Sequence, residues 1–314
     1  MARPVVVPDV EPDAPSAHGA SRAYLPNLLI SLRPGQWTKN LVVFAGLLFG
    51  QQLSHPRALA ATLAAFGVFC ALSGVVYLIN DVADRQADRL HPKKRFRPVA
   101  SGRLPVRTAL TSALVIATGA LGAAWILGRP FLWVSLAYLV LLTLYSGPLK
   151  RVVILDVLTI AVGFVLRAVA GAVVIGVPIS HWLLVCTILL ALFLALAKRR
   201  QELTTLAEDA VGHRAILSEY SQSLLDQMIA VVTACTLMTY ALYTVSAETV
   251  AKFGTDRLLY TFPFPLYGIF RYLYLVHQRQ EGGSPAELLL RDRPLLTCVA
   301  AWAIVVVAII YGPF

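Results

Sequence analysis

The sequence predicts an all-α, polytopic membrane protein, a bundle of nine transmembrane helices under a cytoplasmic cap, and three observations carry that expectation. Hydrophobic residues fill 58% of the 314 positions, charged residues only 14%, and the mean hydropathy is +0.70. That is far too apolar for a soluble domain of this length. The apolar residues gather into runs of spanning or near-spanning length. Lys and Arg crowd the connections on one side, as cytoplasmic loops do. The formal net charge of +10 belongs to these flanks, and no nucleic-acid partner is expected.

Taken in order, residues 1–26 are rich in Pro, Ala and Asp, with neither the basic start nor the apolar centre of a signal peptide. They are expected to be a disordered cytoplasmic tail, and residues 27–314 a single transmembrane catalytic domain. The apolar runs fall at about 36–52, 58–79, 104–127, 131–145, 152–176, 181–197, 223–247, 260–277 and 294–311. Only Gly128-Arg129-Pro130 separates the third from the fourth, which suits a tight helical hairpin. The eighth run carries Pro263, Pro265 and Arg271 and is the least regular. The connections at about 80–104 and 198–222 are too short for a separate core but long enough to cap a membrane cavity. The second of them, Lys198 to Tyr220, is polar enough for an interfacial helix.

The charge tally orients the bundle. Arg3, Arg22, Arg33 and Lys39, the basic residues from Arg85 to Arg107, Lys150 and Arg151, Lys198 to Arg200, Arg214, Arg271, Arg279, Arg291 and Arg293 fall on one side. Arg57, Arg129, Lys252 and Arg257 are the only ones opposite. The N-terminus and the capped end are therefore expected inside the plasma (inner) membrane, and the C-terminus outside. Cys70, Cys186, Cys235 and Cys298 lie singly in apolar runs, without metal-site spacing, and the six histidines are as dispersed. Neither residue type is assigned any chemistry.

One cluster stands out. Asn80, Asp81, Asp84 and Asp88 close the second run, where acids do nothing for orientation. If the helix continues through Asp88, the i, i+3, i+7 spacing turns the three carboxylates to one side. Asn80 and Asp84, one turn apart, suit the one or two protein ligands that Mg²⁺ accepts beside water and substrate phosphates. Asp81 and Asp88 would hold metal-bound waters or orient neighbouring cations.

A second constellation, Tyr145-Ser146-Gly147-Pro148-Leu149-Lys150-Arg151 and then Asp156, lies where helices 4 and 5 meet. Gly147-Pro148 reads as a turn that aims Lys150 and Arg151 back at the mouth. Asp156 and Arg167 are about 20° apart on the helical wheel, so Arg167, deep in an apolar run, would find its anion in Asp156 or in a substrate phosphate. Lys198-Arg199-Arg200-Gln201-Glu202 closes helix 6 and is accounted for as a positive flank. Arg33-Pro34-Gly35-Gln36-Trp37-Thr38-Lys39-Asn40 opens helix 1 and brings Lys39 toward the same mouth. Metal ligands beside several cations, open to both cytoplasm and lipid, suit a transfer between a phosphate-rich soluble molecule and a lipid.

On these residues the chain resembles the UbiA-type superfamily of intramembrane prenyltransferases, from Arg33 to the C-terminus. Its NDxxDxxxD motif is matched by Asn80, Asp81, Asp84 and Asp88, followed by Arg97-Pro98 and Ser101-Gly102. The second motif departs from the DxxxD type of the aromatic prenyltransferases and reads YxxxLKxxxxxD, with Tyr145, Leu149, Lys150 and Asp156. With the RPxQWxKN start and the KRFRP loop, it is similar to the decaprenyl-phosphate phosphoribosyltransferase branch. That resemblance implies a Mg²⁺-dependent transfer of 5-phosphoribosyl from phosphoribosyl pyrophosphate (PRPP) to a polyprenyl phosphate in the bilayer, for cell-wall arabinan. It further implies Mg²⁺ on Asn80 and Asp84, and catalytic roles for Asp81, Asp84, Lys150 and Asp156. Lys39, Tyr77, Lys94, Arg97 and Lys150 would meet PRPP oxygens, and Arg151 and Arg167 the lipid phosphate. Asp88, Tyr145, Lys198 and Arg199 complete the expected binding set. A homo-oligomer is compatible with the sequence. Two other readings stay open: prenyl transfer from a diphosphate to an aromatic acceptor, and cation transport.

Overall fold

The computed structural model describes residues 17–206, 215–279 and 285–312, and among them every regular element is helical. In chain order these are α1 (Ala17–Leu32), a 3-10 helix (Pro34–Phe44), α2 (Ala45–Phe49), α3 (Pro56–Ala83) and α4 (Arg85–Leu90). A 3-10 turn (Lys94–Phe96) leads to α5 (Val106–Leu127), α6 (Arg129–Ser146), a further 3-10 turn (Leu149–Arg151), α7 (Leu155–Val174) and α8 (His181–Leu206). After the 3-10 turn Ala215–Glu219 come α9 (Gln222–Val245), α10 (Ala247–Phe253), the 3-10 turn Arg257–Thr261, α11 (Pro263–Gln278), α12 (Pro285–Arg291) and α13 (Arg293–Tyr311).

Seven of these helices are long and apolar enough to cross a membrane: α3, α5, α6, α7, α8, α9 and α13. The expectation of nine is thereby corrected for the first and eighth runs, which are not single spanning α-helices. Residues 34–49 wind mostly as a 3-10 helix. At about 2 Å of rise per residue there, the segment still covers roughly 30 Å. The eighth run pairs the 3-10 turn Arg257–Thr261 with the 16-residue α11, and together they cover a similar length. Its prolines sit at the start of α11, where a missing N–H costs nothing. Helix α1 begins at Ala17, inside the stretch expected to be a disordered tail, and residues 1–16 lie outside the described ones. Helix α8 runs on to Leu206, while 207–214 of the expected interfacial helix also fall outside.

Local chemistry explains several boundaries. Gly128 holds φ 130°, open to a residue without a side chain, and turns the chain from α5 into α6 just before Pro130. Ser221, Ser246 and Asp292 cap α9, α10 and α13 by accepting from Leu224, Thr249 and Leu295 N–H groups at 3.1, 3.3 and 2.8 Å. The 3-10 segment lies directly on α7. A Cβ on Gly171 would stand 1.8 Å from the Val43 carbonyl oxygen, and one on Gly46 would stand 2.6 Å from the Ala172 nitrogen. Only glycine permits backbones to touch this way.

The buried core of the described residues forms four clusters, and aromatic contacts mark the two largest. Phe69, Phe131 and Tyr138 stack between α3 and α6, with ring centroids 5.0 to 6.0 Å apart. Phe193 of α8 meets Tyr272 of α11 at 5.3 Å in the other. Helix α7 adjoins both α6 and α8, so the ends of α3, α6, α7 and α8 assemble at one end of the bundle.

Candidate active site

At that end the acidic motif does not ride on one uninterrupted helix. Asp84 (φ −92°, ψ 4°) closes α3, and α4 restarts at Arg85, though Asp88 N–H still bonds Asp84 C=O at 2.8 Å. Two of the three carboxylates share a cation and the third takes its own. Asp81, 2% exposed, accepts from Arg33 and, at 3.3 Å, from Arg97. Asp88 accepts from the same Arg97 at 2.6 Å. Asp84, more open than either, pairs with the buried Lys150 across 66 residues of sequence. Two buried acids gripping one guanidinium fix the basic loop over the helix end. Arg89 secures the same loop by donating to the Ala100 carbonyl at 3.0 Å.

Of the two roles expected for Asp81 and Asp88, these contacts are the ones that orient neighbouring cations, and among the described residues no group of three or more His, Cys, Asp or Glu could hold a metal ion. Asn80 and Asp84 are what remains. Both are half-buried and one turn apart. A carboxylate and an amide at a helix end fit a Mg²⁺ ion that takes its other ligands from water and substrate.

Arg33 was the residue sequence reasoning missed, being counted there only as a positive flank. It adopts a left-handed backbone (φ 53°) at the head of the 3-10 segment and stacks on Tyr77 at 4.8 Å while holding Asp81. Its one signal was the RP step ahead of the Trp37-Thr38-Lys39-Asn40 run. Lys39 and Lys94 lie half-buried on their 3-10 elements, each already engaged by neighbours.

Asp156 and Arg167 both prove buried, at 0% and 6% exposure, but they do not meet. Asp156 accepts from Arg199 Nε at 2.8 Å and from the Tyr220 hydroxyl at 2.7 Å. Burial, with donation to Asp156, pushes the Tyr220 phenol up to about 12, so it stays protonated as the donor. Arg167 instead donates to Asn40 Oδ1 at 2.7 Å, to the Gly163 carbonyl at 2.9 Å and to the Tyr138 hydroxyl at 2.7 Å, with the Tyr138 and Phe164 rings 4.8 and 5.0 Å away. Its charge thus lies among neutral partners. Asn40 ties that cluster to α3 through Ser73, at 3.3 Å.

Two cationic expectations change further. Arg151 is exposed, so the Gly147-Pro148 turn aims Lys150 inward without it. Arg199, at 1% exposure, is no solvated flank: it bonds Asp156, Glu202 and, at 3.2 Å, the Tyr145 hydroxyl. Arg200 is buried too, against Asp226 of α9. Lys198 stays at the surface, 3.8 Å from Glu202.

A family model described as the UbiA prenyltransferase family matches residues 40–291. Over 310 residues the chain is 32% identical to a decaprenyl-phosphate phosphoribosyltransferase of Mycolicibacterium smegmatis, covering 95% of this chain and 97% of that protein. It is 31% identical over 292 residues to the enzyme of the same name from Corynebacterium glutamicum, covering 90% and 86%. In fold it is similar to a UbiA homolog from Archaeoglobus fulgidus solved with GPP and Mg²⁺, with a TM-score of 0.68 and 20% identity over 91% of this chain and 99% of that one.

Proposed function

The chain belongs to the UbiA prenyltransferase family, and on that premise we propose that it transfers 5-phosphoribosyl from PRPP to the phosphate of a polyprenyl phosphate, releasing pyrophosphate. The near-full-length likeness to two decaprenyl-phosphate phosphoribosyltransferases supports the reaction. The observation that carries it into the site is the Asp84–Lys150 pair: the acidic motif faces a lysine where a prenyl diphosphate site would want a second set of carboxylates. A lysine there suits a substrate bearing a phosphate beyond its diphosphate, as PRPP does at C5.

Asn80 and Asp84 would hold Mg²⁺, which when bound neutralises the departing pyrophosphate. Lys150, on Asp84, would meet a PRPP phosphate together with Lys39 and Lys94, and Tyr77 lies one turn below Asp81 under the Arg33 guanidinium. Arg97, tied to Asp81 and Asp88, orients the basic loop. Arg167, charged among neutral groups, and Arg151 are the cations left for the lipid phosphate. That phosphate is the nucleophile. It attacks C1 of the ribose as the C1–O bond to pyrophosphate breaks, and an anion already charged needs no general base. The residues contribute alignment of two mutually repelling anions and charge stabilisation at the leaving group.

The protein is a multi-pass membrane protein. The basic side carries the site, so the mouth faces the cytoplasm and the C-terminus the exterior. The product suits cell-wall arabinan synthesis. The test is to incubate the purified protein with labelled PRPP and short polyprenyl phosphates, with and without Mg²⁺, and to identify the lipid by mass. A phosphoribosyl polyprenyl phosphate formed only with Mg²⁺ is expected; consumption of prenyl diphosphates alone would overturn the assignment.

A further inference from the structure

Lys150 sits on a short turn that is held at both ends. Between Ser146, the last residue of α6, and Leu155, the first of α7, the chain makes the 3-10 turn Leu149–Arg151 and then passes Ile154 at φ 69°, ψ −42°. A β-branched residue avoids positive φ, because its side chain crowds the backbone there. Such strain persists only where the surroundings impose it.

Here the restraint is visible. Ile154 N–H donates to the Tyr220 hydroxyl at 2.7 Å, and that hydroxyl donates to Asp156 Oδ1 at 2.7 Å. The other Asp156 oxygen accepts from Arg199 Nε at 2.8 Å, and Arg199 Nη2 reaches the Tyr145 hydroxyl, in the last turn of α6, at 3.2 Å. One chain of bonds therefore joins the entrance of the turn to its exit. Asp156 is 0% exposed, Arg199 1% and Tyr220 3%, so these three are sealed away from any ligand at the mouth. Tyr220 comes from the separate connection between α8 and α9.

We propose that Tyr220, acting through Asp156 and Arg199, clamps the turn that carries Lys150 and so sets the reach of that lysine toward Asp84. Tyr220 is then a positioning residue for PRPP binding and Asp156 part of the clamp, not of the chemistry. The substrate half of this inference rests on the assignment of Lys150 to a PRPP phosphate; the clamp itself does not.

The experiment compares the native protein, Tyr220→Phe, Ile154→Gly and the double variant in detergent. Two readouts are taken: modification of Lys150 by an amine reagent, quantified by peptide mass spectrometry without substrate, and the KM values for both substrates. Tyr220→Phe keeps the ring but lets the strained residue relax. It should raise Lys150 labelling severalfold and the KM for PRPP about tenfold, with the KM for polyprenyl phosphate unchanged. Glycine adopts φ 69° without steric cost, so Ile154→Gly in the Tyr220→Phe background should restore both readouts. A folded Tyr220→Phe with native labelling and native KM values overturns the clamp. So does an equal rise in both KM values, or a double variant that fails to fold along with Tyr220→Phe. If the labelling pattern appears while the native protein ignores PRPP, the clamp stands and the assigned reaction falls.

Discussion

Asp84 and Lys150 bear the most direct consequences at the scale of single residues. Asp84→Asn removes the charged metal ligand while keeping its shape, and turnover should fall by roughly a hundred- to a thousandfold; native-like rates would remove Asp84 from the metal site. Lys150→Ala deletes a cation from a phosphate, and the KM for PRPP should rise by roughly ten- to a hundredfold, the scale of a charged hydrogen bond. Unchanged kcat and KM would leave Lys150 with orientation alone. The Asn80–Asp88 motif was legible because acids at a helix end in so apolar a chain have no bland explanation. Asp156 was legible as an acid on the face of Arg167 but not in its partner. A helical wheel ranks neighbours on one helix, whereas Arg199 and Tyr220 arrive from other elements. Arg33 was hidden because a basic residue on the cytoplasmic flank is already explained by topology.

Elements show where sequence patterns stop being informative. The run 36–52 has the composition of a spanning helix, yet it forms a 3-10 segment seated on Gly171 of α7. Periodicity cannot foresee that, since the cause lies more than a hundred residues away. Gly171→Ala should abolish recovery of monodisperse protein, because its Cβ would meet the Val43 carbonyl at 1.8 Å. Gly122→Ala, with nothing within 4 Å and inside the C-terminal half of α5, should be tolerated and favour that helix by about 1 kcal/mol. Size-exclusion profiles of the two proteins decide it. Asp292 joins two elements: it caps α13 and accepts from Arg271 of α11 at 2.8 Å, and the Arg271 bond holds its carboxyl below the usual range. A depressed folded value means that the carboxylate stabilises the fold above its unfolded pKa of about 3.9 and that this is lost as pH falls further. Asp292→Ala should therefore lower the melting temperature at neutral pH, by a cap's worth of about 1 kcal/mol. The gap from the native protein should close below about pH 4; a gap that persists there would deny the carboxylate its role.

On the scale of the whole molecule, the fold class and most of the spans were legible, because a bilayer imposes length and polarity on each helix independently. The charge asymmetry makes a further prediction. With Cys70, Cys186, Cys235 and Cys298 replaced, Ser101→Cys should react with an impermeant thiol reagent only from the cytoplasmic side, and Asp256→Cys only from outside; the reverse pattern would invert the topology. What the sequence could not reveal is how helices close on one another. Where the Val43 carbonyl rests on Gly171, two main chains touch with no side chain between them. A methyl-bearing isoprenoid needs a gap several ångströms wide, so the seam is shut to lipid where these main chains touch. A polyprenyl tail reaching the site from the bilayer would pass between helices parted by side chains, which can step aside where touching main chains cannot.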